Sequence, residues 1–520
     1  MRNRNPIENS IIYEIYPISF YDSDGDGKGD IKGITLKIPY LKELGIDIVW
    51  LNPIFQTSFL DGGYDVENYS AIDSSFGSLP DLREMLDTAH KAGIKVLMDF
   101  VPGHTSIRHR WFRMSQKKER NRYSDYYIWT DDWSHTVPKA LNGISERNGC
   151  VLTNYYSFQP ALNYGYENVE EPWQMHYKDE RLKPLREEIC SLMRFWLDFG
   201  FDGFRIDMAG TLIKNRTSDE SISWLWREIL GIVKAGHPGA LFMAEWGEPS
   251  LSVGKCGFDF DYIYHENSPY NQLLRLETGS NVLPELEGGN SYFNVEGQGF
   301  FTGFFDLTER NRMEIKGKGY QVLPSGYHDV PRLSFGRSMD GLKCFYAFLF
   351  TYNMVPLLYY GDEIGIPYLS GINKDGGYAR TGARTPMQWD DSCNRGFTDS
   401  EEPYLPTDHT KGIDVKTQED DQRSLLNTIK RLIRIHKLKS FGACAEMNLL
   451  ENRYPLVFER GDEEKYMVCI NPSGKEFFRE IFYESIIDSN NVEVKENGIV
   501  LKAESFAVLA LPSAAYTKKN

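Results

Sequence analysis

The sequence predicts an α/β fold: a (β/α)8 (TIM) barrel with a domain inserted after its third strand and an antiparallel β domain at its carboxyl end. Three observations predict it. Eight short apolar runs alternate with amphipathic stretches, one interval between runs is far too long for a loop, and beyond residue 440 the pattern changes to short alternating segments divided by turn residues. The chain of 520 residues exceeds one average domain of roughly 150 residues, and a large barrel with attachments fits that length.

The eight runs are residues 11–16, 48–52, 95–101, 203–207, 241–246, a weaker 258–264, another weak one near 321–328, and 355–360. Between them, residues 79–92 follow a start signal of Ser78, Pro80 and Asp81, and residues 185–199 repeat apolar positions every three and four residues, so both are helices. The interval from Gly103 to Met175 is rich in Tyr, Trp, Asn and charge and reads as a small domain over the barrel mouth. After a helical stretch at 427–438 come the segments 456–459, 466–471, 492–494 and 507–511. The predicted boundaries are therefore 1–102 and 176–440 for the barrel, 103–175 for the insertion and 441–520 for a closing β-sandwich domain.

Acid exceeds base, and the net charge of −16 repels phosphate backbones and anionic lipid surfaces, which argues against a nucleic-acid or membrane partner and for a neutral or cationic small substrate. Hydrophobic residues at 41% and charged ones at 25% are ordinary for a chain with a sizeable core. Aromatics reach 14%, and their flat faces suit sugar rings as well as packing. No apolar run marks an export signal near Met1–Ser10, and the most apolar stretch, 344–360, is broken by Asn353 and Pro356, short of the roughly 20 residues of a membrane span. Seven scattered cysteines without a CxxC pair point to reduced thiols and a cytoplasmic protein, expected as a monomer or weak homo-oligomer.

Reactive side chains of a barrel sit at the carboxyl ends of its strands. There the chain places Asp99 with His104 beyond it, Arg205 with Asp207, Glu245, and the pair His328–Asp329. Ionisable groups ending several strands on one face are costly unless they converge on a polar site, and two nearby carboxylates are what glycosidic bond cleavage requires.

The segments Asp99-Phe-Val-Pro-Gly-His104, Gly203-Phe-Arg-Ile-Asp207, Phe242-Met-Ala-Glu245 and His328-Asp329 resemble, in order and spacing, four signature regions of glycoside hydrolase family 13, the α-amylase family. A fifth has its counterpart in Gln159-Pro-Ala-Leu-Asn163. Further segments at 13–20, 50–55, 63–66, 360–365 and 383–389 resemble the oligo-1,6-glucosidase and α-glucosidase branch, over most of residues 11–440. The resemblance implies a retaining exo-acting α-glucosidase. Asp207 would be the nucleophile, Glu245 the general acid and base in a more apolar setting with the higher pKa, and Asp329 the third carboxylate that distorts the sugar ring. Arg205, two residues before Asp207 on the same strand face, would keep it ionised. His104, His328 and Gln159 would bind substrate, Tyr64 would stack on the sugar, and an ion pair of Asp65 with Arg384 would wall off the pocket behind the terminal glucose.

The loop from Asp22 to Asp30 carries carboxylates at 22, 24, 26 and 30 with a turn at Gly27; its twelfth position is Gly33 rather than Glu, which rejects an EF-hand. The resemblance instead implies a structural Ca²⁺ held by Asp22, Asp24, Asp26, the Lys28 carbonyl and Asp30, with Mg²⁺ as the alternative. The chain departs from the family at Gly103, where an Asn is usual before the histidine, at Tyr327 before His328, and at Met208 after Asp207, which leaves linkage preference open. Two other readings stand beside hydrolysis: a transglucosylase or sucrose isomerase with the same triad, and a non-catalytic relative such as the amino-acid-transporter heavy chains, which have generally lost these acids.

Overall fold

A computed structural model describes residues 7–134, 137–142, 145–262, 269–274 and 291–512. Its eight central strands, β1 (Ile12–Ile15), β2 (Ile48–Leu51), β3 (Lys95–Phe100), β4 (Gly203–Ile206), β5 (Leu241–Glu245), β6 (Phe260–Tyr262), β7 (Tyr320–Pro324) and β8 (Val355–Tyr359), pair in parallel and in sequence order into a closed barrel, β8 returning to β1. All eight predicted runs supply a strand; the tail of the sixth run, residues 263–264, lies outside the described residues. A closed barrel leaves no edge, which suits strands this short.

Side-chain parity separates two cores. Ile12, Ile48, Trp50, Leu97, Leu241, Met243, Phe260, Tyr262, Val322, Val355 and Leu357 fill the barrel interior, and their neighbours Tyr13, Ile15, Val49, Leu51, Val96, Met98, Phe204, Ile206, Phe242 and Ala244 pack outward under the helices. The same alternation turns Glu14, Asp99, Arg205 and Glu245 inward, as the next interior position toward the carboxyl end of each strand. Gly203 opens β4 because a Cβ there would lie 1.9 Å from the Leu241 carbonyl oxygen on β5.

The helices begin and end where local chemistry allows. Asp30 caps the helix Ile31–Leu44 by accepting the Gly33 N–H, and Gly45 closes it at φ 97°. Ser78 and Asp81 form a reciprocal capping box on Leu79–Lys91, with Pro80 in its first turn. The helix Lys183–Phe199 ends at Gly200, φ 118°. Between β3 and that helix lie the short helix Arg110–Ser115 and a two-stranded ribbon, Ala140–Leu141 with Val151–Leu152. Its bridge from His104 to Ala161 ties this segment back to the end of β3.

The C-terminal strands form one antiparallel sheet in the order Met447–Asn452, Leu456–Arg460, Tyr466–Asn471, Gly498–Ala510, Phe477–Glu480, with Ser485–Lys495 also paired to Gly498–Ala510. The six strands form one hydrogen-bonded sheet. The long strand Gly498–Ala510 makes this so, since its two halves have different partners and bulges bend the strand paired beside it. One face joins the barrel core through Phe458, Val468 and Phe506, and the other buries Val457, Cys469, Leu501 and Leu509. Among the described residues no helix is long and apolar enough to cross a membrane.

Candidate active site

Arg205, fully buried on β4, is the hub of the carboxyl end of the barrel. Its Nη1 donates to both oxygens of Asp99, at 2.8 and 3.0 Å, and to Asp207 Oδ1 at 3.2 Å. Its Nη2 reaches the Tyr262 hydroxyl at 3.0 Å and lies 2.5 Å from Glu245 Oε2. The guanidinium is sandwiched over Trp50, 4.9 Å from its ring centre. Asp99 also accepts from Trp50 Nε1 at 3.0 Å and from the Tyr64 hydroxyl at 2.8 Å. Asp207 and Glu245 therefore converge on one cation, of which the sequence predicts only the contact with Asp207.

Asp207 is pushed well above the ordinary carboxylate range by burial and by the neighbouring charge of Glu245, with Arg205 opposing. Glu245 is buried too and takes the close Arg205 contact and a 2.8 Å hydrogen bond from the Met208 N–H. Met208 reaches it because its backbone is left-handed, φ 43° and ψ 43°, a conformation that costs a non-glycine residue about 1–2 kcal/mol. Strain of this kind is retained where it aims a group, here an amide at a carboxylate.

Across the mouth stands Asp329. Its Oδ1 accepts from Arg384 Nη2 at 2.8 Å and Arg380 Nη1 at 3.0 Å, and its Oδ2 lies 3.2 Å from His328 Nε2. Burial opposes its ionisation, yet His328, Arg380 and Arg384 overcome that and hold it well below the usual range. His328 is desolvated too, but Asp329 and Glu14 raise it to about 9. Burial lowers His104 to about 4, so it is neutral; its Nε2 is 3.1 Å from the Tyr64 carbonyl and Asn154 lies beside Nδ1. Tyr64 stacks on the His328 ring, centres 5.2 Å apart.

The ion pair behind the pocket is not the predicted one. Asp65 is consumed locally, accepting from Thr57 Oγ1, Ser58 N and Asp61 N, and Arg384 serves Asp329 and the His328 carbonyl. The bridge is made instead by Arg380, whose Nη2 meets Asp61 Oδ1 at 2.9 Å and the Tyr156 hydroxyl at 2.9 Å while its Nη1 holds Asp329. Gln159 completes it, its amide donating to Asp61 Oδ2 at 2.7 Å. Gly62 must be glycine here: at φ 56°, a Cβ would fall 2.5 Å from Arg384 Nη1 and 2.6 Å from the Tyr16 hydroxyl. Asp61, Arg380 and Glu14 were missed. The sequence repeats Ala-Arg-Thr at 379–381 and 383–385, and Asp61 precedes Asp65 by four residues in one turn, so spacing alone could not choose between the candidates.

The acidic loop is separate from this centre. Asp22, Asp24 and Asp30 each present a carboxylate oxygen within 4.8 Å of the others; Asp26 stands outside that group, its carboxylate accepting the Lys28 N–H at 2.8 Å. Thr398 donates to Asp22 and the Tyr404 N–H to the Gly27 carbonyl, pinning the loop to residues 398–404. Three hard oxygens at this spacing fit a Ca²⁺-sized cation.

Comparison with known proteins agrees with this geometry. A family model for the alpha amylase catalytic domain matches residues 14–229 and 293–441. The oligo-1,6-glucosidase of Parageobacillus thermoglucosidasius is 29% identical over 87% of this chain and 87% of its own length. That of Heyndrickxia coagulans is 30% identical over 90% of this chain and 92% of its own. Among solved structures, isomaltulose synthase from Klebsiella sp. LX3 superposes with a TM-score of 0.81 at 21% identity, covering 98% of this chain and all of that one, a likeness of fold.

Proposed function

The chain belongs to the α-amylase catalytic-domain family of glycoside hydrolases, and we propose that it is a retaining exo-acting α-glucosidase that removes terminal α-linked glucose from disaccharides and short oligosaccharides. The observation that carries this reading is the Arg205 hub, which gathers Asp207 and Glu245 at one end of the site while Asp329 stands opposite, paired with His328, Arg380 and Arg384. In the first step Asp207 attacks the anomeric carbon as the glycosidic bond breaks, and Glu245 gives its proton to the departing oxygen. In the second, Glu245 takes a proton from water, which displaces Asp207 and regenerates the pair. Arg380, spanning Asp61 and Asp329, closes the pocket behind the terminal ring, so a chain end enters and an internal segment does not.

The test is product analysis on maltose, isomaltose, sucrose and soluble starch. Free glucose is the expected main product from maltose or isomaltose. Faster cleavage of starch than of maltose would sink the closed pocket. A second reading, a transglucosylase or sucrose isomerase with the same residues, is raised by the isomaltulose synthase of like fold; new disaccharides exceeding free glucose from sucrose would select it.

We further place a structural Ca²⁺ on Asp22, Asp24 and Asp30, with Asp26 and Lys28 on the same loop and Mg²⁺ as the competitor. A cation bound only by the folded chain, at a hundredfold excess over its Kd, stabilises it by about 2.7 kcal/mol. Addition of Ca²⁺ to metal-stripped protein should therefore raise Tm by several degrees, and Asp22→Asn should abolish that rise while leaving kcat at 25 °C within about twofold. An unchanged Tm refutes the site. The seven cysteines are all free thiols, which suits a reducing compartment, and we assign the enzyme to the cytoplasm, as a monomer or weak homo-oligomer.

A further inference from the structure

Strand β1 turns a carboxylate into the barrel where its neighbours turn apolar side chains. Glu14 is fully buried, its Oε1 lies 2.7 Å from His328 Nδ1, and its Oε2 has no hydrogen-bond partner among the described residues. On the far side of the same ring, Nε2 is 3.2 Å from Asp329 Oδ2. We propose that Glu14 is a positioning residue that keeps His328 an imidazolium, so that this histidine meets a glucoside as a fixed cationic donor through Nε2.

The geometry leaves little choice. A neutral imidazole has one N–H and one lone pair. Flanked by carboxylate oxygens at both nitrogens, it would set that lone pair against an anion. Only the imidazolium donates to both, unless one carboxylate takes the proton instead. Asp329 does not, since Arg384 and Arg380 hold its other oxygen at 2.8 and 3.0 Å. Glu14 is the remaining competitor, and an imidazole is the stronger base, about 6.5 against about 4.3 in free side chains. Burial leaves Glu14 above its ordinary value, although His328, and after it Arg205 and Asn52, pull the other way. The remaining contacts of the ring are aromatic or neutral: Tyr64 stacked at 5.2 Å, Tyr16 at 6.4 Å, Trp50 and Tyr327 edge-on, and the Asn52 amide 3.2 Å from Nδ1. Of the cations near it, Arg384 touches the His328 carbonyl, at 2.9 Å, and Arg380 acts through Asp329.

Burial depresses the ring, yet Asp329 and Glu14 outweigh it and lift His328 to about 9. The raised value means that the folded chain holds a proton which the unfolded chain releases near 6.5; the stabilisation is complete below that pH and is lost as pH rises through about 9. With Gln at position 14 the ring has one anionic neighbour instead of two, and the imidazolium should be lost at lower pH.

The inference deepens the reading of His328 as a sugar-binding group, and its test does not depend on turnover. In protein labelled with ¹³C and ¹⁵N at its ten histidines, with His328 assigned from the spectrum of His328→Gln, both ring nitrogens should be protonated at pH 7.5. The midpoint should lie near 9 in the natural chain and at least about one pH unit lower in Glu14→Gln. In the same variant, KM for 4-nitrophenyl α-glucoside should climb between pH 7 and 8.5 where that of the natural enzyme stays level, with kcat following the natural profile. A neutral His328 at pH 7.5 in the natural chain, or equal midpoints in the two proteins, overturns the proposal; if Glu14→Gln does not fold, the natural chain's titration decides. A doubly protonated His328 in a protein inactive on every glucoside would remove the functional reading and leave the proposal standing.

Discussion

Asp207→Asn will lower kcat on every α-glucoside by about 10⁴-fold or more, the scale on which loss of a covalent nucleophile is felt, and it will do so without lowering Tm at pH 7. The two halves of this expectation have one cause. Asp207 is buried beside Glu245, and both effects raise its pKa, so holding it ionised costs the folded chain free energy. For a carboxyl raised in this way, the stability it lends is present below its unfolded value and is lost as pH climbs through its folded one. At neutral pH the asparagine relieves that cost, while Arg205 keeps its contacts with Asp99 and Glu245. Tm should be equal to or above that of the natural enzyme at pH 7, and the gap should shrink toward pH 4. A variant that retains 4-nitrophenyl α-glucoside hydrolysis within tenfold would show that another group is the nucleophile. One that melts many degrees lower would show that Asp207 is structural. The trade between stability and chemistry is common at active sites.

The barrel was legible because its two signals are local. A strand such as Ile48–Leu51 is a short apolar run, and a helix such as Leu79–Lys91 carries its own cap, so each element is written within about a dozen residues. Glu245, which ends β5, and Asp207, which directly follows β4, were predicted at the barrel mouth because a strand end fixes where a side chain points, whereas Asp329, five residues beyond β7, was found only through the resemblance of the pair His328-Asp329. The cluster of Asp61, Gln159, Asp329 and Arg380 was not legible, since it joins them through loops whose course no short-range pattern sets. Asp65 resembles the required acid, but Thr57 and the amides of Ser58 and Asp61 claim its carboxylate, leaving Asp61 to face Arg380. Glu14 did leave a trace: in Ile12-Tyr-Glu-Ile15 the parity that turns Ile12 inward must turn Glu14 inward also, and an inward charge needs a partner. The partner, His328, is 314 residues away in the chain. The contacts of Glu245 were illegible for a similar reason, because they depend on how far one guanidinium reaches and on the left-handed turn at Met208.

Glu245→Gln should separate substrates by their leaving groups. Glutamine preserves the shape of the side chain, and its carbonyl oxygen can accept from Arg205 and the Met208 N–H as Glu245 Oε2 does now, so the site should hold together. What it cannot do is give up or take a proton. General acid–base assistance is worth about 10²–10⁴-fold, and the share that protonation contributes depends on how poorly the departing oxygen bears negative charge. The alkoxide leaving from maltose bears it badly, so hydrolysis of maltose should fall toward the upper end of that range. A 4-nitrophenolate leaves without help, so glycosylation by 4-nitrophenyl α-glucoside should fall far less, and the covalent intermediate on Asp207 should accumulate because water lacks its base. A burst of nitrophenol followed by slow turnover is then expected in rapid-mixing measurements. Azide, a nucleophile that needs no deprotonation, should restore the steady rate and yield the α-glucosyl azide, the anomer that two inversions produce. Equal losses on both substrates, or an azide product of the opposite anomer, would remove Glu245 from the acid–base role and retention from the mechanism.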